Sequence, residues 1–246
     1  MEIKGFIPNT MLDWEGMIAS TLFLPGCNFR CPFCQNPDLV LSHRKLETVP
    51  FELVADYLRE REGWVEGVCI TGGEPCLHSD LPDFCAGIKA LGLKVKVDTN
   101  GSLPGALERL LERGLVDYVA MDVKAPLEPG PYRLASGCSR HDLLDSISRS
   151  ISMLSGSGVE HEFRTTVVPM IHNPEDILRI ARVLSGDARF VLQQFRPAKT
   201  LDRRFQDLKP FDHDEMESML DRVRRLVPAA KLRASPEVLR TERGGR

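Results

Sequence analysis

The chain has 246 residues, of which 42% are hydrophobic and 27% charged, with a net charge of −3. That balance suits one large α/β domain, excludes a chain too polar to build a core, and gives no electrostatic reason to expect nucleic acid as a partner. No apolar run is long enough to cross a bilayer, the start Met1-Glu2-Ile3-Lys4-Gly5 lacks a signal-peptide pattern, and seven cysteines in a chain too large to need disulfide staples point to a reducing cytoplasm.

Taken in order, Met1 to Gly16 reads as an extended lead-in. Ile18 to Leu24 is rich in β-formers and predicts a strand that delivers Cys27 at its C-terminal end. A helix follows near Pro50, with Phe51, Val54, Ala55 and Leu58 on one face. Val65 to Thr71 reads as a strand closed by Gly72-Gly73-Glu74-Pro75, and the next helix carries Leu81, Phe84, Cys85 and Ile88. Leu93 to Asp98 is a strand and Pro104 to Arg113 a helix. Tyr118 to Val123 is a strand ending in Lys124-Ala125-Pro126, after which an irregular Gly- and Pro-containing connection leads to a helix with Leu143, Ile147, Ile151 and Leu154. Val159 to Val168 is a strand stopped by Pro169. Asn173 and Pro174 open a helix with Ile177, Ile180, Ala181 and Leu184 inward. Arg189 to Phe195 is a strand, and Asp212 with Glu215 forms a capping box for a helix carrying Met216, Met219, Leu220 and Val223. From Asp221 onward eight Lys/Arg residues (including Arg222, Arg240, Arg243 and Arg246) outweigh three acids (Asp221, Glu237 and Glu242), which reads as a solvated helix and a frayed basic tail.

Six strands, each followed by a helix, predict a parallel sheet with right-handed crossovers, two units short of a closed eightfold barrel. Alternation within the strands separates a polar row from an apolar one. Lys94, Lys96 and Asp98 share one face, as do Asp122 and Lys124, and Glu160, Glu162, Arg164 and Thr166, with valines, Met121 and Phe163 opposite. A sheet covered on both faces would read as continuous apolar runs. The expectation is therefore an α/β fold, a partial (β/α)6 barrel with helices outside and a polar inside. It forms a single domain over 1–246, with a core of about 17–227 and a basic tail over 228–246.

The chemistry concentrates at strand ends, where parallel α/β folds bind ligands. Cys27, Cys31 and Cys34 stand in the spacing C-x3-C-x2-C. Thiolates this close on one loop suit zinc or iron–sulfur, and no fourth ligand follows in a zinc or ferredoxin spacing. Three thiolates on a cubane-type cluster leave one iron position open, the mark of a site that binds substrate. The other candidate strand ends are Gly72–Pro75, Asp98–Gly101, Asp122–Lys124 and the segment after Arg164. Cys69 and Cys85 read as core, and the six histidines as surface or packing residues.

These residues carry a resemblance. Cys27-x3-Cys31-x-Phe33-Cys34, followed by Thr71-Gly72-Gly73-Glu74-Pro75, is similar to the cluster loop and "GGE" strand end of the radical S-adenosylmethionine (radical SAM) superfamily. The resemblance implies a 4Fe–4S cluster on Cys27, Cys31 and Cys34, with SAM chelating the unique iron. It also implies Phe33 beside the adenine and backbone groups of Gly72, Gly73 and Glu74 at the methionine ammonium. Asp98-Thr99-Asn100-Gly101, Asp122-Val123-Lys124 and Arg164-Thr165-Thr166-Val167-Val168-Pro169 resemble strand ends of glycyl-radical-enzyme activating enzymes. This adds Asp98, Asn100, Asp122, Lys124, Arg164 and Val168 as cofactor contacts, with a monovalent cation near Asp98 and Asp122.

Most of the chain, from Gly5-Phe6-Ile7-Pro8 to Phe195-Arg196-Pro197-Ala198-Lys199, looks like the activating proteins of anaerobic ribonucleoside-triphosphate reductase. It departs from the family at Glu15, where proline is frequent, at Gln35, where histidine is common, and at Arg196, where pyruvate formate-lyase activases carry histidine. The implied activity is formation of a glycyl radical on a partner enzyme in the cytoplasm, with a low-potential donor such as flavodoxin or ferredoxin and no nucleic-acid or membrane partner. The alternatives are activation of another glycyl radical enzyme such as pyruvate formate-lyase, or a radical SAM reaction on a small molecule contacted by Lys94, Lys96, Glu160 and Glu162. A third is a non-catalytic iron–sulfur or zinc protein.

Overall fold

The computed structural model describes residues 1–184 and 188–234. Strand β1 (Gly5–Thr10) leads into six βα units. These are β2 (Ala19–Leu24) with α1 (Pro37–Leu41) and α2 (Phe51–Arg59), β3 (Gly67–Gly72) with α3 (Leu81–Lys89), and β4 (Lys94–Thr99) with α4 (Pro104–Glu112). They continue as β5 (Tyr118–Asp122) with α5 (Pro129–Ser136) and α6 (Leu143–Gly156), β6 (Glu160–Val167) with α7 (Pro174–Val183), and β7 (Phe190–Gln194) with α8 (His213–Arg224). A short β8 (Lys231–Arg233) follows. The strand order of the sheet is the chain order, β1 to β8. Pairing is antiparallel between β1 and β2 and parallel in the registers from β2 to β5 and from β6 to β8. The expected α/β class, with its parallel sheet and alternating helices, is the fold observed.

Four elements differ from the sequence expectation, the first being α1 (Pro37–Leu41), a helix not expected between the cysteine loop and Pro50. The lead-in is a strand, with Gly5 opposite Phe23 and Ile7 opposite Thr21 before an irregularity toward Thr10. Pro8 sits in that stretch, which an outer strand tolerates because its missing N–H is not needed by a neighbour. Lys231–Arg233, expected in a helix or tail, pairs with Val191–Gln193. The connection after β5 contains α5, whose Pro129 and Pro131 fall in its first turn, where no intrahelical N–H is lost. Of the expected basic tail, Arg240, Arg243 and Arg246 lie outside the described residues.

The residues form two compact units: Met1–Asn28, Asn36–Met121 and Arg149–His161 make the first, and Phe29–Gln35, Asp122–Ser148 and Glu162–Arg246 the second. In the first, Val68, Ile70, Val95, Val97 and Val119 from the strands are fully buried, as are Cys85, Ile88 and Leu110 from the helices. Trp14 packs with Ala19, Tyr118 and Ala120. In the second, Phe163, Phe190, Leu192, Ile177 and Met216 are fully buried. Each such side chain removed from water contributes about 1.5–3 kcal/mol. The capping box read at Asp212/Glu215 is present, and the N-cap read at Asn173 also forms a capping box, with Asp176.

The polar row of the strands is exposed at its start, at Lys94 and Glu160, and buried further along. In the first unit Lys96 is 2% exposed, sits 3.2 Å from Asp98 and donates to the backbone carbonyl of Asp13. In the second, Glu162 is buried and lies 3.5 Å from Arg233. A face open to solvent would leave these charges hydrated; here each has a partner within the protein.

Candidate functional site

The first unit brings the Gly-Gly-Glu turn against the backbone that precedes Cys27. Leu24 and Gly72 are in register at the ends of β2 and β3. The Gly73 N–H donates to the Leu24 carbonyl at 2.9 Å and the Glu74 N–H to the Gly26 carbonyl at 2.8 Å. A Cβ on Gly73 would lie 1.7 Å from the Gly26 oxygen, and Gly72 has φ of +115°. Both glycines are thus demanded by close backbone packing inside the protein. The Asn36 side chain donates to the Gly72 carbonyl at 3.2 Å, tying the far end of the cysteine loop to the same turn.

Glu74 is 1% exposed. Its carboxylate accepts from the Asn100 N–H at 2.6 Å, the Thr99 hydroxyl at 2.7 Å and the Cys76 N–H at 3.0 Å. Burial raises its pKa and these donors oppose the rise. The Glu74 side chain is therefore a clasp between two strand ends. Asp98, on the neighbouring strand, accepts from the Thr71 hydroxyl at 3.3 Å beside the Lys96 ammonium. The Asn100 carboxamide lies against Asn28 and Cys27.

The second unit holds Cys31, Phe33 and Cys34 on a loop fixed from several sides. Cys31 and Phe33 are buried and Cys34 half-buried. The Arg30 N–H donates to the Ser136 carbonyl at 2.7 Å, and the Cys31 Sγ is 3.9 Å from the same oxygen. Gly137 caps α5 in the left-handed region, φ +63°, where a Cβ would meet the Arg30 carbonyl oxygen at 2.5 Å. The Asp202 N–H donates to the Pro32 carbonyl at 2.9 Å, and the Gln35 side chain to the Arg196 carbonyl at 3.1 Å. Two residues that depart from the family pattern are thus partners of each other.

Asp122, Lys124 and Arg164 converge in the same unit. Lys124 Nζ is 2.8 Å from one carboxylate oxygen of Asp122, and Arg164 Nε 2.8 Å from the other. Burial alone would raise the Asp122 pKa, but the Arg164 and Lys124 charges overcome it and hold the carboxyl well below its usual range. Burial would likewise lower Lys124, yet Asp122 and the nearby Cys31 sulfur hold it above the ordinary lysine value. A depressed carboxylate pKa stabilises the fold above the unfolded value of about 4 and loses that contribution as pH falls. Asp122→Asn is therefore expected to destabilise the protein by about 2 kcal/mol at pH 7, leaving two buried cations without their counter-charge. The difference from wild type should shrink steadily below pH 4, as measured by denaturant unfolding across pH; a constant gap would contradict the assignment.

His172 is a positioning group that the sequence reading treated as mere packing. It is 5% exposed, accepts from the Val168 N–H at 3.0 Å through Nδ1, and donates from Nε2 to the Lys124 carbonyl at 2.8 Å. Those two partners require a neutral ring, in line with a pKa lowered chiefly by burial. It ties together the strand ends that carry Lys124 and Val168. Its place four residues after Val168 was the only sequence signal.

All seven cysteines are thiols and none forms a disulfide. Burial pushes Cys85 up to about 12 and Cys76 also well above the ordinary thiol value. Among the described residues no three His, Cys, Asp or Glu side chains form a ready-made metal cage, and no helix is long and apolar enough to cross a membrane.

Comparison with known proteins gives these observations a family setting. The description of the Radical SAM superfamily matches residues 21–184. The chain is 31% identical over 222 residues to a Methanocaldococcus jannaschii protein that bears the name of a glycyl-radical enzyme activating enzyme, covering 88% of this chain and 89% of that one. It is 25% identical over 226 residues to the pyruvate formate-lyase-activating enzyme of Clostridium pasteurianum, covering 85% of this chain and 91% of the relative. Among solved structures, Streptococcus suis SuiB bound to S-adenosylmethionine superposes with a TM-score of 0.64 at 16% identity, over 87% of this chain and 51% of SuiB. At that identity the likeness concerns the fold.

Proposed function

Starting from a chain that belongs to the radical SAM superfamily, we propose an activating enzyme that installs a glycyl radical on a partner protein, namely an anaerobic ribonucleoside-triphosphate reductase. Superfamily membership implies a 4Fe–4S cluster and S-adenosylmethionine as its cofactors. The observation that carries the proposal is the extent of the 31% identity, which spans 89% of a protein named for glycyl-radical enzyme activation.

The residues present fit these cofactors. Three thiols on one short loop match the soft ligands that iron–sulfur clusters take. Cys27, Cys31 and Cys34 would hold the cluster. When bound, cluster and SAM together supply a 5′-deoxyadenosyl radical by one-electron reductive cleavage of the sulfonium. The ammonium of SAM is a donor, and the Gly73 and Glu74 amides are committed to Leu24 and Gly26, so backbone carbonyls at Gly72–Glu74 would receive it. Phe33 offers a buried ring for the adenine. Asp98, Asn100, Asp122, Lys124, Arg164 and Val168 would line the cofactor pocket, held by Lys96, Glu74 and His172. The Asp122–Lys124–Arg164 cluster, rigid through its own pairs, would present a fixed field to the carboxylate and ribose.

One observation favours a protein substrate over a small one. Lys96 and Glu162, the buried polar candidates for small-molecule contacts, are committed to Asp13, Asp98 and Arg233 within the protein. Arg196 stands where pyruvate formate-lyase activases carry histidine, which argues for the reductase over that lyase. A low-potential flavodoxin or ferredoxin would supply the electron, and thiols without disulfides suit a reducing cytoplasm.

The test is anaerobic incubation of the reconstituted, reduced protein with SAM and the reductase, followed by electron paramagnetic resonance. A doublet from a glycyl radical is the expected result. SAM turnover with no radical on the reductase, but with consumption of a metabolite, would sink the proposal in favour of a small-molecule enzyme.

A further inference from the structure

We propose that Asn100 tunes the cluster as a positioning residue, through a hydrogen bond from its side-chain amide to the Cys27 sulfur. The inference rests on the cluster reading above and assigns Asn100 to a cluster ligand as well as to the SAM pocket.

The orientation of the Asn100 carboxamide follows from its neighbours. The Ser102 N–H, which can only donate, lies 2.9 Å from Asn100 Oδ1. That contact makes the nearer atom the oxygen and leaves Nδ2 on the other side. Nδ2 then has two acceptors to serve, Asn28 Oδ1 at 2.9 Å and Cys27 Sγ at 4.0 Å. Asn28 is oriented in turn, because Asn100 Nδ2 can only donate, and the Asn28 amide is left to the Ser102 hydroxyl at 2.8 Å, which can accept from it. Its oxygen must therefore face Asn100. The network closes on itself, and the Asn100 N–H that Asn28 does not take is directed at Cys27.

The group is also held from behind. The Asn100 backbone N–H donates to Glu74, whose other oxygen is engaged by Thr99 and Cys76. Asn100 is 6% exposed and Ser102 fully buried, so water does not compete for these bonds. An N–H directed at a ligating sulfur draws negative charge from it and favours the reduced, more negative cluster, which raises the reduction potential. In low-dielectric surroundings a fixed dipole acts more strongly than it would in water. A bound cluster would have to be reduced before it could supply an electron, and this N–H would set how readily that state is reached.

The experiment is a redox titration of the reconstituted protein, monitored by electron paramagnetic resonance without SAM or partner, with iron and sulfide contents measured in parallel. Asn100→Leu and Asn100→Asp should keep a full cluster and shift its midpoint potential to more negative values. The Asp variant should shift further, because an oxygen and a charge replace the N–H. Ser102→Ala, which removes the acceptor of Asn28 and leaves the Asn100 carboxamide contacts in place, should titrate like wild type. Unshifted potentials in both Asn100 variants would overturn the inference, as would an equal shift in Ser102→Ala, which would assign the effect to packing. Loss of the cluster in every Asn100 variant would overturn it too, since a tuning group is dispensable for assembly. A wild-type protein that takes up no 4Fe–4S cluster would instead overturn the reading beneath it, and the wild-type titration separates the two failures.

Discussion

Cys31→Ala is expected to bind no stable 4Fe–4S cluster and to leave SAM intact under reducing, anaerobic conditions. Cys31 is the middle thiol of the triplet, it is buried, and its loop is clamped at Arg30 and Pro32 by backbone bonds to Ser136 and Asp202. Two remaining thiolates cannot hold a cubane that already relies on an exogenous ligand at its fourth iron. The control is Cys85→Ala on α3, which should lose about 1 kcal/mol of stability through a small cavity and keep its full complement of iron and sulfide. Iron and sulfide analysis with a 5′-deoxyadenosine assay reads both variants. A Cys31→Ala protein with wild-type cleavage would remove the cysteine loop from the mechanism.

Gly73→Ala should have the largest effect on folding of any single-methyl change in the site. The added Cβ would sit 1.7 Å from the Gly26 oxygen and 2.5 Å from its carbonyl carbon. Both are backbone atoms and cannot rotate away. Relief requires separating the turn from the cysteine loop, which breaks the bonds from the Gly73 and Glu74 amides to Leu24 and Gly26. The cost is about 3 kcal/mol, a fall in Tm of roughly 10 °C for a chain of this size. Gly87→Ala is the internal comparison. That glycine lies within α3 and nothing approaches its missing Cβ within 4 Å, so the same methyl should stabilise by about 0.5–1 kcal/mol through reduced freedom of the unfolded chain. Thermal unfolding should show the two variants moving in opposite directions. Equal melting of Gly73→Ala and wild type would mean that the turn and the loop are not packed as described.

These two expectations draw on different kinds of information. The role proposed for Cys31 rests on the spacing of residues 27 to 34 and on a resemblance carried by short motifs. The demand for glycine at position 73 does not, because the residue that excludes a side chain there is Gly26, far away in the chain. The motif nominates residues; the fold tells what they touch. The same holds for Gln35 and Arg196, which read as two separate departures from the family pattern and are bonded to one another.

By itself the sequence determined the alternation of six strands with helices from β2 to α8, the N-cap at Asn173, the capping box at Asp212/Glu215 and the buried apolar faces. All of these depend on residues within a turn or two of each other, where periodicity and capping act. Tertiary structure decided what depends on partners distant in the chain. β1 and β8 are strands because β2 and β7 offer them backbone to pair with, while their own patterns are too short to announce it. Helix α5 is eight residues with two prolines and a glycine, and its end, Ser136–Gly137, is the seat of the cysteine loop at Arg30. Glu74, Asn100 and His172 took their roles as clasps from strand ends that only folding brings side by side. The polar row that alternation revealed was likewise only a pattern until folding buried Lys96 and Glu162 and matched each with a partner, since a charge leaves water only where the fold supplies a replacement for its hydration.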